Sequence, residues 1–472
     1  MSESGPYPLE PTPDEMRVML QQVTDRIVDH IASVGDQPAS YETDGRAIAR
    51  DFAEPAPAEG TDFAGLLDRI FDDAVPHSFN TAGPGYLAYI PGGGVFPSAV
   101  ADLIANAINR YVGVWVAAPA LVQLELNVIQ WFCEAVGYGA GSGGVLTSGG
   151  SLSNLTAIVA ARRERFGDDF SRGVIYTSDQ AHHSVRKSAV LAGFAEAAVR
   201  QIETNAHQEI RIDRLEAAMA EDRAAGRIPF LIVGNAGTTN TGAVDDLTAL
   251  ADLADRESLW FHVDGAYGGF FALTERGKAV MAGLERADSI TLDPHKGLFL
   301  PYGTGALLVR DEGSLRRAHA TFADYMPAMQ NDAEFVDFCD LSAELSRDFR
   351  GLRIWLPVKL FGLSAFRESL DEKLDLARWA AEQIRKIPEV EIVTEPRLSL
   401  VSFRMRGEEG DDATRALLDA INARQNVYVT GTMVDGRFVI RICVLSFRTH
   451  MDRMDMCVND IRGALSEVLS AR

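Results

Sequence analysis

Apolar residues recur at helical spacing in the first part of the chain. Met16, Leu20, Val23, Ile27 and Ile31 share one helical face, and Thr12-Pro13-Asp14-Glu15 before them combines an N-cap, a first-turn proline and a capping-box glutamate. The spacing predicts a long amphipathic helix at the start of the fold. Beyond a connector punctuated by proline and glycine, Glu54 to Gly60, a second periodic segment runs from Phe63 to Phe71. Residues 1–82 therefore read as a helical arm. Its core is too small to stand alone, so it packs either on the rest of the chain or on a second subunit.

From about Val145 the pattern changes to short apolar runs separated by helical stretches: Val145 to Thr147, Val174 to Thr177, Phe230 to Val233, Leu259 to Val263, Ser289 to Leu292 and Ala306 to Val309. That alternation predicts an α/β fold, a largely parallel sheet with helices on both faces. Ligands of such sheets bind beyond the carboxyl ends of the strands, so chemistry is sought in the polar residues that follow each run. From about Leu363, helical patterns flank strands, with Asn426 to Val434 and Arg437 to Ser446 joined by Asp435-Gly436, a hairpin signal. This section reads as a small α+β domain. The predicted organisation is an arm over 1–82, a large α/β domain over 83–362 and a small domain over 363–472.

Composition narrows the function classes. The 472 residues carry a formal net charge of −22, which repels phosphate backbones and anionic lipid, so neither nucleic acid nor a membrane surface is expected as a partner. Cys133, Cys339, Cys443 and Cys457 show no metal-ligand or disulfide spacing and read as free thiols of a reducing compartment. The N-terminus is acidic and proline-rich where a signal peptide would be basic and then apolar, and no apolar run approaches the roughly 18 residues of a spanning helix. A cytoplasmic location is the expectation.

The residues after the strands carry the chemistry. Ser148-Gly149-Gly150-Ser151 enters a helix, where free N–H groups and the helix dipole suit a phosphate, although a bland tight turn would read the same way. The segment fits neither the nucleotide-triphosphate nor the dinucleotide glycine pattern. His182 follows the second run, and Asn235 to Gly242, with Thr239 among its hydroxyls, follows the third. The fourth ends in Asp264-Gly265-Ala266, a carboxylate that needs a cation or strong donor if buried. His262 shares its face without a third ligand nearby, so no metal is expected. The fifth run leads to His295-Lys296, and burial there is expected to depress the lysine pKa and make it a nucleophile. Taken singly, each of these residues has an ordinary structural reading. Together, a phosphate cup, a histidine, a strand-end carboxylate and a strand-end lysine are what is needed to hold pyridoxal 5′-phosphate.

The stretches GPGYLAYIPGGGVFPSAVAD, WVAAPALVQLE, LTSGGSLSN, SDQAHHS, NAGTTNTGAVDD, WFHVDGAYGG, ADSITLDPHKG and SRDFRGLRIWL stand in the order and spacing of a known family. From about Gly83 to the C-terminus the chain resembles the group II pyridoxal-phosphate decarboxylases, which include aromatic-L-amino-acid, histidine and glutamate decarboxylases. The resemblance implies a fold of type I with a mostly parallel seven-stranded sheet, and a homodimer whose active site lies at the subunit interface. It further implies that Lys296 forms the Schiff base, Asp264 contacts the pyridinium nitrogen, His182 stacks on the ring, Gly150, Ser151 and His295 hold the phosphate, and Thr239 and Ala266 line the ring site. In aromatic-amino-acid decarboxylases a loop tyrosine returns the proton to the substrate carbon, and its counterpart here is Tyr325.

The substrate side matches less closely. Tyr89, Pro91 and Trp115 remain as substrate-binding candidates, while Thr81, Ile90 and Gly113 stand where aromatic-amino-acid decarboxylases carry aromatic residues. The implied activity is conversion of an L-amino acid, an aromatic one being the leading candidate, to its amine and CO₂. The rivals are an aldehyde synthase or aminotransferase on the same fold and a catalytically silent cofactor-binding protein.

Overall fold

A computed structural model describes residue 7 and residues 9–41, 43–320, 335–407 and 410–470. The opening helix, Pro13–Ser33, forms with the expected capping box: the Thr12 hydroxyl accepts from the Glu15 N–H, and the Glu15 carboxylate accepts from the Thr12 N–H at 2.7 Å. The helix buries none of its residues, and Met16, Met19, Leu20 and Val28 stand exposed. Shorter helices, Gly45–Asp51 and Phe63–Asp68, complete the arm, the second running into a π-helical turn at Arg69–Ala74.

Seven strands form the large sheet: β1 (Gly143–Thr147), β2 (Gly173–Ser178), β3 (Val199–Ile202), β4 (Ile228–Asn235), β5 (Trp260–Gly265), β6 (Ser289–Leu292) and β7 (Gly305–Val309). Their order is β1-β7-β6-β5-β4-β2-β3, and β7 alone runs antiparallel to its neighbours. Helices cover both faces, so the central strands are buried on both sides, which is why they read as unbroken apolar runs. Because β1, β2, β4, β5 and β6 share one direction, the segments after them meet along a single edge.

A second sheet holds β8 (Val390–Thr394), β9 (Leu400–Met405), β10 (Thr430–Val434) and β11 (Arg437–Cys443) in the antiparallel order β10-β11-β9-β8. The predicted hairpin is present. Val434 pairs with Arg437, and both turn residues have positive φ, 49° at Asp435 and 73° at Gly436, which matches the twist of the flanking strands. This sheet and the helices Gly410–Asn422 and Met451–Ser470 enclose a separate apolar core. Joining the two parts is the long helix Arg350–Arg385, which loses helical geometry at Gly362, where φ is 75°. All four cysteines are free, and three of them, Cys133, Cys443 and Cys457, are buried.

Candidate active site

At the end of β1 the chain turns through Ser148 and Gly149 into the helix Gly150–Phe166, which has no side-chain cap. Its first N–H groups are thereby left to a ligand. A Cβ on Gly150 would lie 3.1 Å from the Ala266 Cβ and 3.2 Å from Asp293 Oδ2, so a side chain here would push the ends of β5 and β6 back by a few tenths of an ångström. Gly150 and Ser151 line a cavity of about 790 Å³, partly open to solvent, together with His182, Thr239, Asp264, Ala266, His295 and Lys296. Every cofactor-binding residue expected from the sequence is thus gathered around one space.

Asp264, at the tip of β5, is held from two sides: Asn154 Nδ2 donates to Oδ2 at 2.9 Å, and the Ala266 N–H donates to Oδ1 at 3.2 Å. Asn154 is oriented in turn by Thr291 Oγ1, which donates to its Oδ1 at 2.8 Å, and by His262 Nε2, 3.0 Å from the same oxygen. His262 therefore stands beneath the site as a hydrogen-bonded support, its Nδ1 2.8 Å from Ser289 Oγ. Among the described residues no cluster could hold a metal ion.

Two buried groups of this region titrate in opposite senses. Burial pushes His262 down to about 4 from its ordinary 6.5, so the folded chain refuses a proton that the unfolded chain accepts, and this contribution to stability is lost as the pH falls through that window. Burial pushes Asp245 up to about 6 from 3.8, against hydrogen bonds from Ile210 and Asn235, so its contribution is lost as the pH rises through that window. The two offset each other. The thermal midpoint of Asp245→Asn, followed from about pH 6.5 to about pH 4.5, is expected to fall more steeply than that of the unaltered protein. Parallel curves would remove Asp245 from the account.

Lys296 lies in a single helical turn, Pro294–Gly297, directly after β6, with its Nζ 2.7 Å from Asp293 Oδ2. Burial alone would lower its pKa, as the sequence led us to expect. The structure corrects that expectation: the paired Asp293, with a smaller contribution from Asp264, outweighs burial and leaves Lys296 above its ordinary value, a held ammonium. Burial holds His182 and His295 below the usual imidazole range. His182 Nδ1 accepts from the Ser184 N–H at 3.3 Å and lies 2.8 Å from Ser184 Oγ, which fixes the ring at the cavity wall. His295 Nδ1 is anchored on the Thr304 carbonyl.

The substrate candidates stand apart from this cavity. Tyr89 is 54% exposed with a φ of 50°, Pro91 is buried, and Trp115 stacks on Phe335 at 3.8 Å between ring centres; none of the three lines the cavity. Gly92 presses on the site from behind, since a Cβ there would lie 2.2 Å from the His295 carbonyl oxygen. Tyr325 lies outside the described residues. Three residues escaped the sequence reading: Asn154, Asp293, and Arg441, whose Nη2 bridges the Tyr89 and Thr239 carbonyls at 2.8 and 2.7 Å. Of these, Asp293 left a signal, a carboxylate three positions before the lysine in a turn.

The pyridoxal-dependent decarboxylase conserved domain matches residues 52–406. The chain belongs to that family. It is 34% identical over 467 residues to an aromatic-L-amino-acid decarboxylase of Bacillus atrophaeus, covering 98% of this chain and 97% of the relative. An L-2,4-diaminobutyrate decarboxylase of Rhizobium meliloti (strain 1021) is 33% identical, with 92% and 89% covered. Among solved structures, that of Oryza sativa TDC with PLP and tryptamine superimposes with a TM-score of 0.93 at 29% identity, over 98% of this chain and 99% of that one. The protein is a pyridoxal-phosphate-dependent amino-acid decarboxylase of fold type I. Its residues fit the cofactor: an uncapped helix start for the phosphate, a carboxylate held for a ring nitrogen, a lysine for the aldehyde, and Asp293 Oδ1, buried without a hydrogen-bond partner.

Proposed function

We propose that this decarboxylase acts on an aromatic L-amino acid, releasing the amine and CO₂. One observation carries the choice: among the described residues that line the cavity, none offers a free charge to a distal substrate group. Its carboxylates, Asp264 and Asp293, are engaged by Asn154 and Lys296, and burial keeps its two histidines below the usual imidazole range. A distal carboxylate or ammonium would enter without a partner, whereas a neutral ring would not. The similarity to an aromatic-L-amino-acid decarboxylase supports the same choice.

When bound, pyridoxal phosphate supplies a sink for the electron pair left behind by departing CO₂. Lys296 provides the amine that attaches the cofactor. The helix start at Gly150 and Ser151, with His295, holds the phosphate. Asp264, fixed by Asn154 and Ala266, keeps a proton on the ring nitrogen, while Thr239 and Ala266 border the ring. His182 presents its imidazole to the ring, and Tyr325 returns a proton to Cα. Tyr89, Pro91 and Trp115 serve the substrate side, across a boundary that a second subunit completes.

The unit is a cytoplasmic homodimer, in which the arm over 1–82 wraps the partner, 83–362 forms the cofactor domain and 363–472 the small domain. The apolar residues exposed on the helix Pro13–Ser33 support this assembly, and a monomeric mass in solution would count against it. Among the described residues no helix is long and apolar enough to cross a membrane.

Release of CO₂, screened across the natural amino acids, dihydroxyphenylalanine and 2,4-diaminobutyrate, tests the substrate class. The largest release is expected from an aromatic amino acid, and a preference for glutamate or diaminobutyrate would overturn the choice. In the same assay Tyr325→Phe should move the product from amine toward aldehyde, with oxygen consumed. An unchanged product ratio would remove Tyr325 from the protonation step.

A further inference from the structure

Asn154 stands on the helix Gly150–Phe166, 1% exposed, and commits its whole side-chain amide to partners inside the protein. Its Nδ2 donates to Asp264 Oδ2 at 2.9 Å and to Ser184 Oγ at 3.0 Å, while its Oδ1 lies 2.8 Å from Thr291 Oγ1 and 3.0 Å from His262 Nε2. One amide therefore joins β5, β6 and the helix His183–Leu191 that follows β2. Its partners Ser184, His262 and Thr291 are all buried, as is Ser289 behind His262.

The direction of each bond is set by groups that have no choice of role. A carboxylate only accepts, so the NH₂ of the amide faces Asp264 and its oxygen faces Thr291 and His262. His262, which burial pushes down to about 4 and so keeps neutral, then carries its proton on Nε2, and its Nδ1 accepts from Ser289 Oγ at 2.8 Å. The Ser289 oxygen in turn accepts from the Trp260 indole N–H at 2.9 Å. On the other side Ser184 Oγ receives the second amide hydrogen and turns its own proton to His182 Nδ1, 2.8 Å away, which also accepts from the Ser184 backbone N–H. A neutral His182 thus bears its proton on Nε2. Donation runs one way, from Trp260 through Ser289, His262, Asn154 and Ser184 to His182, with Asp264 as a branch.

We propose that Asn154 is a positioning residue for the reaction: its oxygen fixes the tautomer of His262, and its two amide hydrogens hold Asp264 and the Ser184–His182 pair in one arrangement. This rests on the reading of Asp264 as the partner of the ring nitrogen and of His182 as the group facing the ring. Carboxylate and imidazole are then set by a single side chain, so a displacement of one is felt by the other. Asp264 also accepts from the Ala266 N–H through its second oxygen, so turning the carboxylate away breaks both bonds together. His182, held in this tautomer, leaves an N–H to the cavity it lines.

Nitrogen NMR of the full-length, cofactor-free protein carrying isotope-labelled histidine reads the tautomers, with His262→Gln and His182→Gln assigning the signals. Both rings should be protonated at Nε2 and bare at Nδ1. In Asn154→Leu and Asn154→Ser, two variants chosen so that one folded substitution suffices, His262 should shift toward the Nδ1–H form. Loaded with pyridoxal phosphate, the same variants should lower kcat by about tenfold or more and leave KM within about threefold, as expected of a residue that orients others. Ser184→Ala, which cuts only the His182 branch, should lower kcat by less. The proposal is overturned by a proton on Nδ1 of either histidine in the unaltered protein, by a His262 tautomer unmoved in the folded variants, or by a kcat within about twofold in them. Asp264→Asn is measured in parallel: an unchanged kcat there removes the reading of Asp264, while the cofactor-free spectra still decide what the amide fixes.

Discussion

Lys296→Ala is expected to lose covalent attachment of pyridoxal phosphate and to lower decarboxylation by about 10⁴-fold or more. The lysine has two duties that no neighbour can assume. It provides the amine at the end of β6, and among the described residues no other lysine lines the cavity. Its ammonium also compensates Asp293, so removing it leaves a buried carboxylate uncompensated and should weaken cofactor binding as well as chemistry. Borohydride treatment followed by peptide mass analysis checks attachment, and CO₂ release checks turnover. A reduced adduct that persists in the variant would sink the assignment.

Asp264→Asn is expected to lower kcat by about 10³-fold while the cofactor remains bound. The substitution keeps the shape but removes the negative charge that favours a proton on the ring nitrogen, so the electron sink weakens when it is needed. It also disturbs the support, because the Asn154 amide and the Ala266 N–H both donate to this side chain, and an amide group can satisfy only one of them with its single oxygen. Measurement at saturating cofactor separates the two effects. A kcat within about tenfold of the unaltered protein would mean that Asp264 does not act on the ring nitrogen.

Much of this site was legible in the chain because β1, β2 and β4 to β7 are buried on both faces and announce themselves as short apolar runs. Once the runs are placed, the residues after them must share an edge. β3 was not legible. Its middle residues, Arg200 and Gln201, are not buried, as suits the outermost strand, so no apolar run marks it. Asn154 was missed for a different reason: its importance comes from facing Asp264 and His262, and that juxtaposition exists only after a helix has packed on the sheet. The balance at Lys296 was also beyond the sequence. Burial and the Asp293 charge oppose each other, and only the 2.7 Å separation decides which prevails. On the substrate side, motif order offers Tyr89, Pro91 and Trp115 as candidates but carries no information about which cavity each side chain meets.

The position of β7 has a consequence for how the protein comes into being. Gly143 pairs with Val309, and Gly305 packs so closely on Gly149 that a Cβ there would lie 2.5 Å from the Gly149 Cα. The turn at Gly149 is therefore set early in the chain and completed by β7, which comes late in the sequence and lies between β1 and β6. Until β7 pairs with it, a nascent chain carries β1 as an unpaired edge, and contacts so distant in sequence close slowly. A cofactor that binds this finished sheet and not the unfolded chain draws the folding equilibrium toward the native state in proportion to its concentration. Loading with pyridoxal phosphate is thus expected to raise the thermal midpoint of the protein.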